Sequence, residues 1–149
     1  MRVLVDTNVL FSRLLPNSHT NSSINRFFDA VIRERFLLVV PEEVLDELVE
    51  AREKKSYLAY AISADEMQRF IHFLRTVAEI LPRQTNAAPP VLRDPRDDFL
   101  LIAAATGDVD YLITGDRDLL DIRDRLTRPR IVTVTEFLQA LPPIQSEGV

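Results

Sequence analysis

Short apolar runs alternate along this chain with longer stretches in which apolar residues recur at helical spacing. The runs RVLVD at 2–6 and FLLVV at 36–40 are almost continuously apolar, as expected of strands that are buried on both faces. Weaker runs of the same kind predict three further strands, VAEIL at 77–81, DYLIT at 110–114 and RIVTV at 130–134. The chain is therefore expected to contain four or five strands.

Between these runs the sequence has helical periodicity. Ser63 and Glu66 form a capping-box pattern at the start of one helix, and Pro41 suits the first turn of another. Helices are predicted over 8–15, about 20–34, 41–55, a stretch from Ser63, FLLIAAA at 99–105, a short segment at 116–121 and TEFLQAL at 135–141. Strands separated by helices are typical of a parallel sheet wrapped by helices.

The predicted fold class is α/β, with three layers and a doubly wound, mainly parallel sheet of four to five strands that has helices on both faces. One domain is expected over 1–141, followed by a flexible tail at 142–149. Residues 82–96 contain four prolines and are expected to form an irregular loop within that domain.

Composition narrows the possible chemistry. The chain has no cysteine and only two histidines, which excludes thiolate sites and disfavours a zinc site built from imidazoles. The net charge of −5 argues against a broadly basic nucleic-acid binder. The chain begins directly with a strand-like segment and has no long apolar run, so a soluble cytoplasmic protein with no membrane association is expected.

Acidic residues follow the ends of predicted strands or lie in the helices after them. In an open α/β sheet this edge collects the functional site. The acids are Asp6, Glu47, Asp97, Asp98, Asp116 and Asp118. Carboxylates gathered at one edge repel one another unless a cation joins them, so the pattern predicts a metal site built from oxygen ligands.

Each of these acids also has a structural interpretation. Asp6 could cap the first helix, and Asp116 after Gly115 could belong to a turn. Glu43 borders the apolar stripe of its helix one turn before Glu47, so periodicity alone does not choose between the two. What favours a functional interpretation is the joint occurrence of acids at four corresponding places.

Four segments together resemble a known family. VLVDTNVL, EEVLDEL, DPRDDFLLIAAA and DYLITGDRDLL are similar to the PIN domain, in particular to its bacterial toxin-like branch of VapC-like ribonucleases. The resemblance extends from Val3 to the TVTEFLQAL segment. It implies a cleft of acids that holds Mg²⁺ or Mn²⁺ for hydrolysis of phosphodiester bonds in single-stranded or structured RNA, as the toxin of a toxin–antitoxin pair.

The resemblance also implies roles for individual residues. The catalytic acids would be Asp6, Glu47, Asp98 and Asp116, the metal ligands Asp6, Asp98, Asp116 and Asp118, and the supporting residues Asn8, Thr114 and Asp97. Asp97 and Asp98 both open a helix, where one carboxylate is expected to act as a cap. Whether Asp97 or Asp98 is the ligand stays open.

Arginines beside the acids are the candidates for substrate binding. Arg93, Arg96 and Arg117 are adjacent to the acids in sequence and could contact phosphates. The most basic stretch, IRDRLTRPR at 122–130, is expected to be a solvated loop rather than an RNA clamp.

The toxin-like branch further implies a homodimer and a small antitoxin protein as partners. Four aromatic residues could contribute to an interface, although core burial is the simpler expectation for most of them. They are Tyr57, Tyr60, Phe70 and Phe73.

Two alternatives come from different classes of protein. A haloacid dehalogenase-type phosphatase would use Asp6 as a covalent nucleophile, but Asn8 stands where its second Asp is expected, and no lysine follows Lys55. A catalytically inactive module that binds RNA or protein would keep the acids only as caps and ion pairs. A binding module needs no anionic cluster, which argues against this second alternative.

Overall fold

The structure is a computed structural model that describes residues 1–15, 22–84 and 95–143, with the side chains of Ser22 and of 95–98 outside the description. Most of the predicted tail at 142–149 and most of the predicted loop at 82–96 therefore fall outside it. Within the described ranges, no helix is long and apolar enough to cross a membrane.

Five strands form one sheet in the described part of the chain. They are β1 (Arg2–Val5), β2 (Leu37–Pro41), β3 (Glu79–Leu81), β4 (Tyr111–Ile113) and β5 (Arg130–Val132). The strand order is β3-β2-β1-β4-β5, and every neighbouring pair is parallel. The predicted parallel sheet is confirmed, at the upper limit of the expected number of strands.

Eight α-helices lie in the described part of the chain. They are α1 (Thr7–Leu14), α2 (Ser22–Ile32), α3 (Glu42–Lys54), α4 (Ser56–Ala61), α5 (Ala64–Val77), α6 (Pro95–Thr106), α7 (Arg117–Asp121) and α8 (Val134–Ala140). A single 3-10 turn follows α7 at Arg123–Arg125. The helices connect successive parallel strands and complete a three-layer α/β fold.

The predicted capping box of α5 is present, since Ser63 Oγ accepts from Glu66 N and Ser63 N donates to Glu66 Oε1.

Two element boundaries differ from expectation, and the first is at Pro41. It is the last residue of β2, with extended backbone angles, and the helix begins after it. Its fixed φ suits either position. The third strand starts at Glu79 rather than at residue 77, because α5 continues to Val77.

Burial explains why the strands are so apolar. Residues Val3, Leu4 and Val5 of β1 are fully buried, and so is the centre of β2. A strand buried on consecutive residues must be covered on both faces, which requires helices on both sides of the sheet. Aromatic rings of Phe27, Phe36 and Phe137 meet with centroids 5.0–5.9 Å apart and join α2 to α8.

The sheet changes winding direction at β1. From β1 the chain proceeds outward through β2 and β3, and it then returns to the other side of β1 to form β4 and β5. In open α/β sheets, ligands bind at the carboxyl ends of the strands beside such a switch point. Here the two strands that meet at the switch point, β1 and β4, are followed directly by Asp6 and Thr114.

Candidate functional site

Asp6 lies at the carboxyl end of β1 and is 1% exposed. Its backbone N–H donates to Ile113 O at 2.9 Å, which fixes the end of β1 against the end of β4. The hydroxyl of Thr114, also 1% exposed, donates to Asp6 Oδ2 at 2.9 Å. A buried carboxylate is costly unless hydrogen bonds or a cation compensate it. The hydrogen bond from Thr114 supplies part of this compensation and fixes the orientation of the Asp6 carboxylate.

Thr114 also connects Asp6 to Asp116, the acid two residues after Thr114. Asp116 N donates to Thr114 Oγ1 at 3.0 Å, and Asp118 N donates to Asp116 Oδ1 at 3.0 Å. Asp116 is therefore the N-cap of α7, which confirms its structural role in the turn. A carboxylate has about four acceptor sites, so one capping bond leaves Asp116 able to bind a ligand as well.

The turn itself does not require glycine. Gly115 does not have a positive φ, and no described atom lies within 4 Å of the position that a Cβ would take. A larger residue would fit the backbone at this position.

Glu47 is connected to the same edge of the sheet through Thr7. The buried Thr7, which follows Asp6, donates from Oγ1 to Glu47 Oε2 at 2.8 Å. This bond joins the first turn of α1 to the second turn of α3. It brings the second predicted acid to the carboxyl end of β1.

Glu43, one turn earlier in α3, faces the same cleft. Its Oε2 accepts from Gln84 N at 2.8 Å, and its Oε1 is buried with no hydrogen-bond partner among the described residues. Of these two acids, it is Glu47 that accepts a hydrogen bond from Thr7, the residue that follows Asp6.

Other acids of α3 are held by arginines. Arg75 makes two hydrogen bonds to Glu42, at 2.8 and 3.0 Å, and this contact lowers the pKa of Glu42. Arg83 makes a similar pair of bonds to Asp46, at 3.1 and 2.9 Å. These carboxylates stabilise the packing of α3 against α5 and the end of β3, and they have no place in the site.

A cleft of about 710 Å³ runs along α3 from this acidic edge. Its lining includes three groups: the acids Glu43, Glu47 and Glu50; the apolar residues Phe11, Leu15, Ala51, Leu58 and Phe99; and Lys54, Lys55 and Tyr57 where α3 meets α4. Thr7 and Asn8 complete the wall nearest Asp6.

A second cleft, of about 350 Å³, lies on the other side of Asn8 and is rich in hydroxyl groups. Its polar lining consists of Asn8, Ser12, Ser23, Thr114, Thr133 and Thr135. Asn8 lines both clefts, so they adjoin at the first turn of α1. The second cleft also includes Thr114, at the end of β4.

Several predicted site residues lie outside the described part of the structure. Helix α6 begins at Pro95, which places Asp97 and Asp98 in its first turn as expected, but their side chains are not described. The same holds for the side chain of Arg96 and for Arg93 as a whole. Arg117 and Asp118 are exposed in the first turn of α7.

Two arginines of the basic stretch at 122–130 form ion pairs with acids elsewhere in the domain. Arg123 bonds to Glu136 at 3.1 Å, while Arg128 pairs with Asp108 and with Asp110, the latter at 3.0 Å. These arginines therefore form ion pairs within the domain, and the prediction that the stretch is not an RNA clamp stays a prediction.

The donors present suit a hard divalent cation. Asp6, Glu47, Asp116 and Asn8 offer only oxygen for coordination from carboxylate and amide groups, which is the set preferred by Mg²⁺ and Mn²⁺. Among the side chains that the structure describes, however, no three Asp, Glu or His residues converge closely enough to hold a metal ion. Asp97 and Asp98, in the first turn of α6, are the candidate ligands whose side chains lie outside that description.

Sequence reasoning missed Thr7, although a hydroxyl directly after the terminal Asp of a strand was a usable signal.

The expectation of core burial was wrong for two aromatic residues. Tyr57 is 63% exposed and Tyr60 is 95% exposed, whereas Phe70 is buried and Phe73 is half-buried. The tyrosines lie on α4, a short helix that the sequence pattern did not predict.

Comparison with known proteins finds a matching family and a similar solved structure. A family model described as PIN domain matches residues 2–118. Among solved structures, the crystal structure of PAE2754 from Pyrobaculum aerophilum is similar, with a TM-score of 0.59 and 21% sequence identity over 95% of this chain and 89% of that chain. No curated protein matches the sequence significantly. The likeness to the solved structure supports the three-layer fold.

Proposed function

Since this chain belongs to the PIN domain family, which typically comprises metal-dependent nucleases, we propose that it is a Mg²⁺- or Mn²⁺-dependent endoribonuclease. The observation that carries the proposal is the hydrogen-bonded series Asp6, Thr114 and Asp116 at the switch point of the sheet. A buried carboxylate at this position is costly to maintain, and cation binding would explain its presence.

A bound divalent cation would supply a water of lowered pKa as nucleophile and would neutralise charge on the phosphate. We assign Asp6 and Asp98 to the principal metal. Glu47, Asp116 and Asp118 would hold a second metal or position the water. Asp97 remains the alternative ligand on α6.

The protein's own residues have definable tasks in this scheme. Thr114 holds Asp6 Oδ2 and so determines the direction in which the carboxylate is presented. Thr7 does the same for Glu47 Oε2. Asn8 stands between the two clefts and would orient the substrate strand, with Arg93, Arg96 and Arg117 as candidate phosphate contacts. No histidine, serine or lysine nucleophile is required.

The biological role proposed is that of a cytoplasmic toxin in a toxin–antitoxin pair, acting as a homodimer that a small antitoxin protein inhibits. This part of the proposal rests on the resemblance of the DTN and TGDRD segments to VapC-like ribonucleases.

The decisive experiment is incubation of single-stranded RNA with the wild type and with Asp6→Asn and Asp116→Asn variants, with and without Mn²⁺. An Asn carbonyl can still accept the Thr114 or Asp118 hydrogen bond, so folding should be preserved. Loss of residues that only support metal ligands typically costs about 10–100-fold, so loss of a ligand should lower the rate by more than about 100-fold. Glu53→Gln, a substitution of an exposed acid on α3, is the matched control.

Cleavage that is equal in wild type and Asp6→Asn would refute the nuclease assignment. If the wild type neither cleaves RNA nor binds Mn²⁺ in a calorimetric titration, an inactive binding module is the better interpretation. Hydrolysis of small phosphate esters without cleavage of RNA would instead support the phosphatase, which the family assignment disfavours.

A further inference from the structure

The corner between α3 and α4 combines positive charge with an exposed aromatic ring. Lys54 ends α3, Lys55 lies between the helices, and Tyr57 is the second residue of α4. Lys54 and Lys55 are the only lysines in the chain, and Tyr57 is one of its three tyrosines. All three residues line the 710 Å³ cleft that contains Glu47.

Packing of α4 holds Tyr57 in place at the rim of the cleft. Its neighbour Leu58 is 3% exposed, and Ile62 at the end of α4 is fully buried. Arg52 Nε donates to Ile62 O at 2.8 Å and ties this end of α4 to α3. Tyr57 is therefore attached to a fixed helix while 63% of its surface remains exposed.

Charge changes sign along the cleft. Glu43 and Glu47 are at the end near Asp6, and Lys54 and Lys55 are at the other. Glu47 and Lys54 are seven residues apart, a rise of about 10 Å along α3. Between them, Glu50 Oε2 lies 3.7 Å from Lys54 Nζ, but both side chains are exposed, so the pair is weak and leaves Lys54 able to bind a phosphate. An anionic strand whose scissile phosphate lies at the acidic end could thus place a neighbouring phosphate at the lysines.

We propose that the α3–α4 corner is a nucleotide subsite in which Tyr57 stacks on a base of single-stranded RNA while Lys54 and Lys55 bind the adjacent phosphate. The proposal rests on the nuclease function and extends it to substrate binding. Proteins that bind single strands combine cationic grooves with aromatic side chains in this way, because every base offers a flat face for stacking. Tyr57 contributes affinity and positions the strand without touching the reacting atoms.

The chain contains a matched control for Tyr57. Tyr60 is on the same short helix and is 95% exposed, but it does not line the cleft. A general effect of removing a surface tyrosine from α4 should therefore be seen in Tyr60→Ala as well. A stacking subsite in the cleft requires the effect to be confined to Tyr57.

The test measures binding of a fluorescein-labelled single-stranded RNA by anisotropy, in EDTA so that no cleavage occurs. Tyr57→Ala should weaken binding by between about 5-fold and about 100-fold, whereas Tyr57→Phe and Tyr60→Ala should stay close to wild type. An abasic strand of equal length should bind wild type and Tyr57→Ala equally. Lys54→Gln and Lys55→Gln should each reduce the slope of log affinity against log salt by about 0.7.

Equal affinity of wild type and Tyr57→Ala for RNA overturns the proposal, and so does equal weakening by Tyr57→Phe. A Tyr57→Ala effect seen only on binding of a protein partner also overturns it. Cleavage assays in Mn²⁺ separate the two hypotheses. Tyr57-dependent binding without cleavage contradicts the nuclease alone, while normal cleavage kinetics and binding in Tyr57→Ala contradict the subsite alone.

Discussion

Thr114 Oγ1 donates a hydrogen bond of 2.9 Å to Asp6 Oδ2, and both residues are 1% exposed. The bond joins the carboxyl ends of β1 and β4, the adjacent strands at which the sheet reverses its winding direction. The same hydroxyl accepts from Asp116 N, so a single oxygen orients one acid and the turn that carries another.

Replacing that hydroxyl should therefore affect both stability and activity. Thr114→Val keeps the shape of the side chain but leaves a buried carboxylate oxygen and the Asp116 amide without this partner. We expect a loss of about 1–3 kcal/mol in the free energy of unfolding, measured by urea titration. Metal-dependent cleavage of RNA should fall by about 10–100-fold, as is typical when a residue that supports a metal ligand is lost. Thr114→Ser, which keeps the hydroxyl, should retain most of the stability and most of the cleavage activity. If Thr114→Ser is as impaired as Thr114→Val in both measurements, the hydroxyl does not have this role.

Glu47 and Glu43 offer a second test, because they lie one turn apart in α3 and line the same cleft. Glu47→Gln keeps an acceptor for Thr7 Oγ1 but removes the charge, so cleavage should fall by more than about 10-fold while the unfolding midpoint changes little. Glu43→Gln keeps an acceptor for Gln84 N and should retain activity. The reverse order of effects would identify Glu43 as the second acid.

Asp110, which lies just before β4, should make the stability of the fold depend on pH. Its carboxylate accepts from Arg2 N at 2.8 Å and from Arg128 Nη2 at 3.0 Å. The backbone bond from Arg2 is the main reason that the pKa of Asp110 is lowered, and Arg128 adds to it. A lowered pKa in the folded state means that the contribution to stability is present above the unfolded pKa of about 3.9 and is lost as the pH falls through the folded value.

Asp110→Asn should consequently be less stable than wild type at neutral pH, and the difference should shrink as the pH falls below about 4. Thermal unfolding followed by circular dichroism across this range would measure it. Asp121→Asn, at an exposed position, is the control. A difference that stays constant down to low pH would show that the charge of Asp110 is not the cause.

Phe137 tests the part of the fold beyond the family match, which ends at residue 118. The ring is fully buried and lies 5.0 Å from Phe36 and 5.2 Å from Tyr111 between ring centroids. Phe137→Ala should cost about 3–5 kcal/mol of unfolding free energy, because it creates a cavity beneath the sheet. Gln139→Ala, on the same helix but exposed, should change stability by less than about 0.5 kcal/mol in a urea titration. Similar effects of the two substitutions would mean that α8 is not an integral part of the domain.

The order of elements was predictable from sequence because it depends on local patterns. Continuous apolar runs identified β1 and β2, and the Ser63 and Glu66 pair identified the start of α5. Helix α4 was missed because its six residues are too few to show a periodic pattern. The boundaries at Pro41 and Val77 shifted by a few residues for the same reason, since propensity is weakest at the ends of elements.

By itself, the sequence determined the α/β class and the position of Asp6 at a strand end, and it limited the candidate metal ligands to oxygen donors, since each follows from residue type and local spacing. Tertiary structure decided which distant groups meet: Thr114 with Asp6 across 108 residues, and Thr7 with Glu47 across 40. It also decided that Tyr57 is exposed at the rim of a cleft rather than buried in the core. Such contacts depend on strand order and helix packing, which place residues far apart in sequence side by side and which no local pattern encodes.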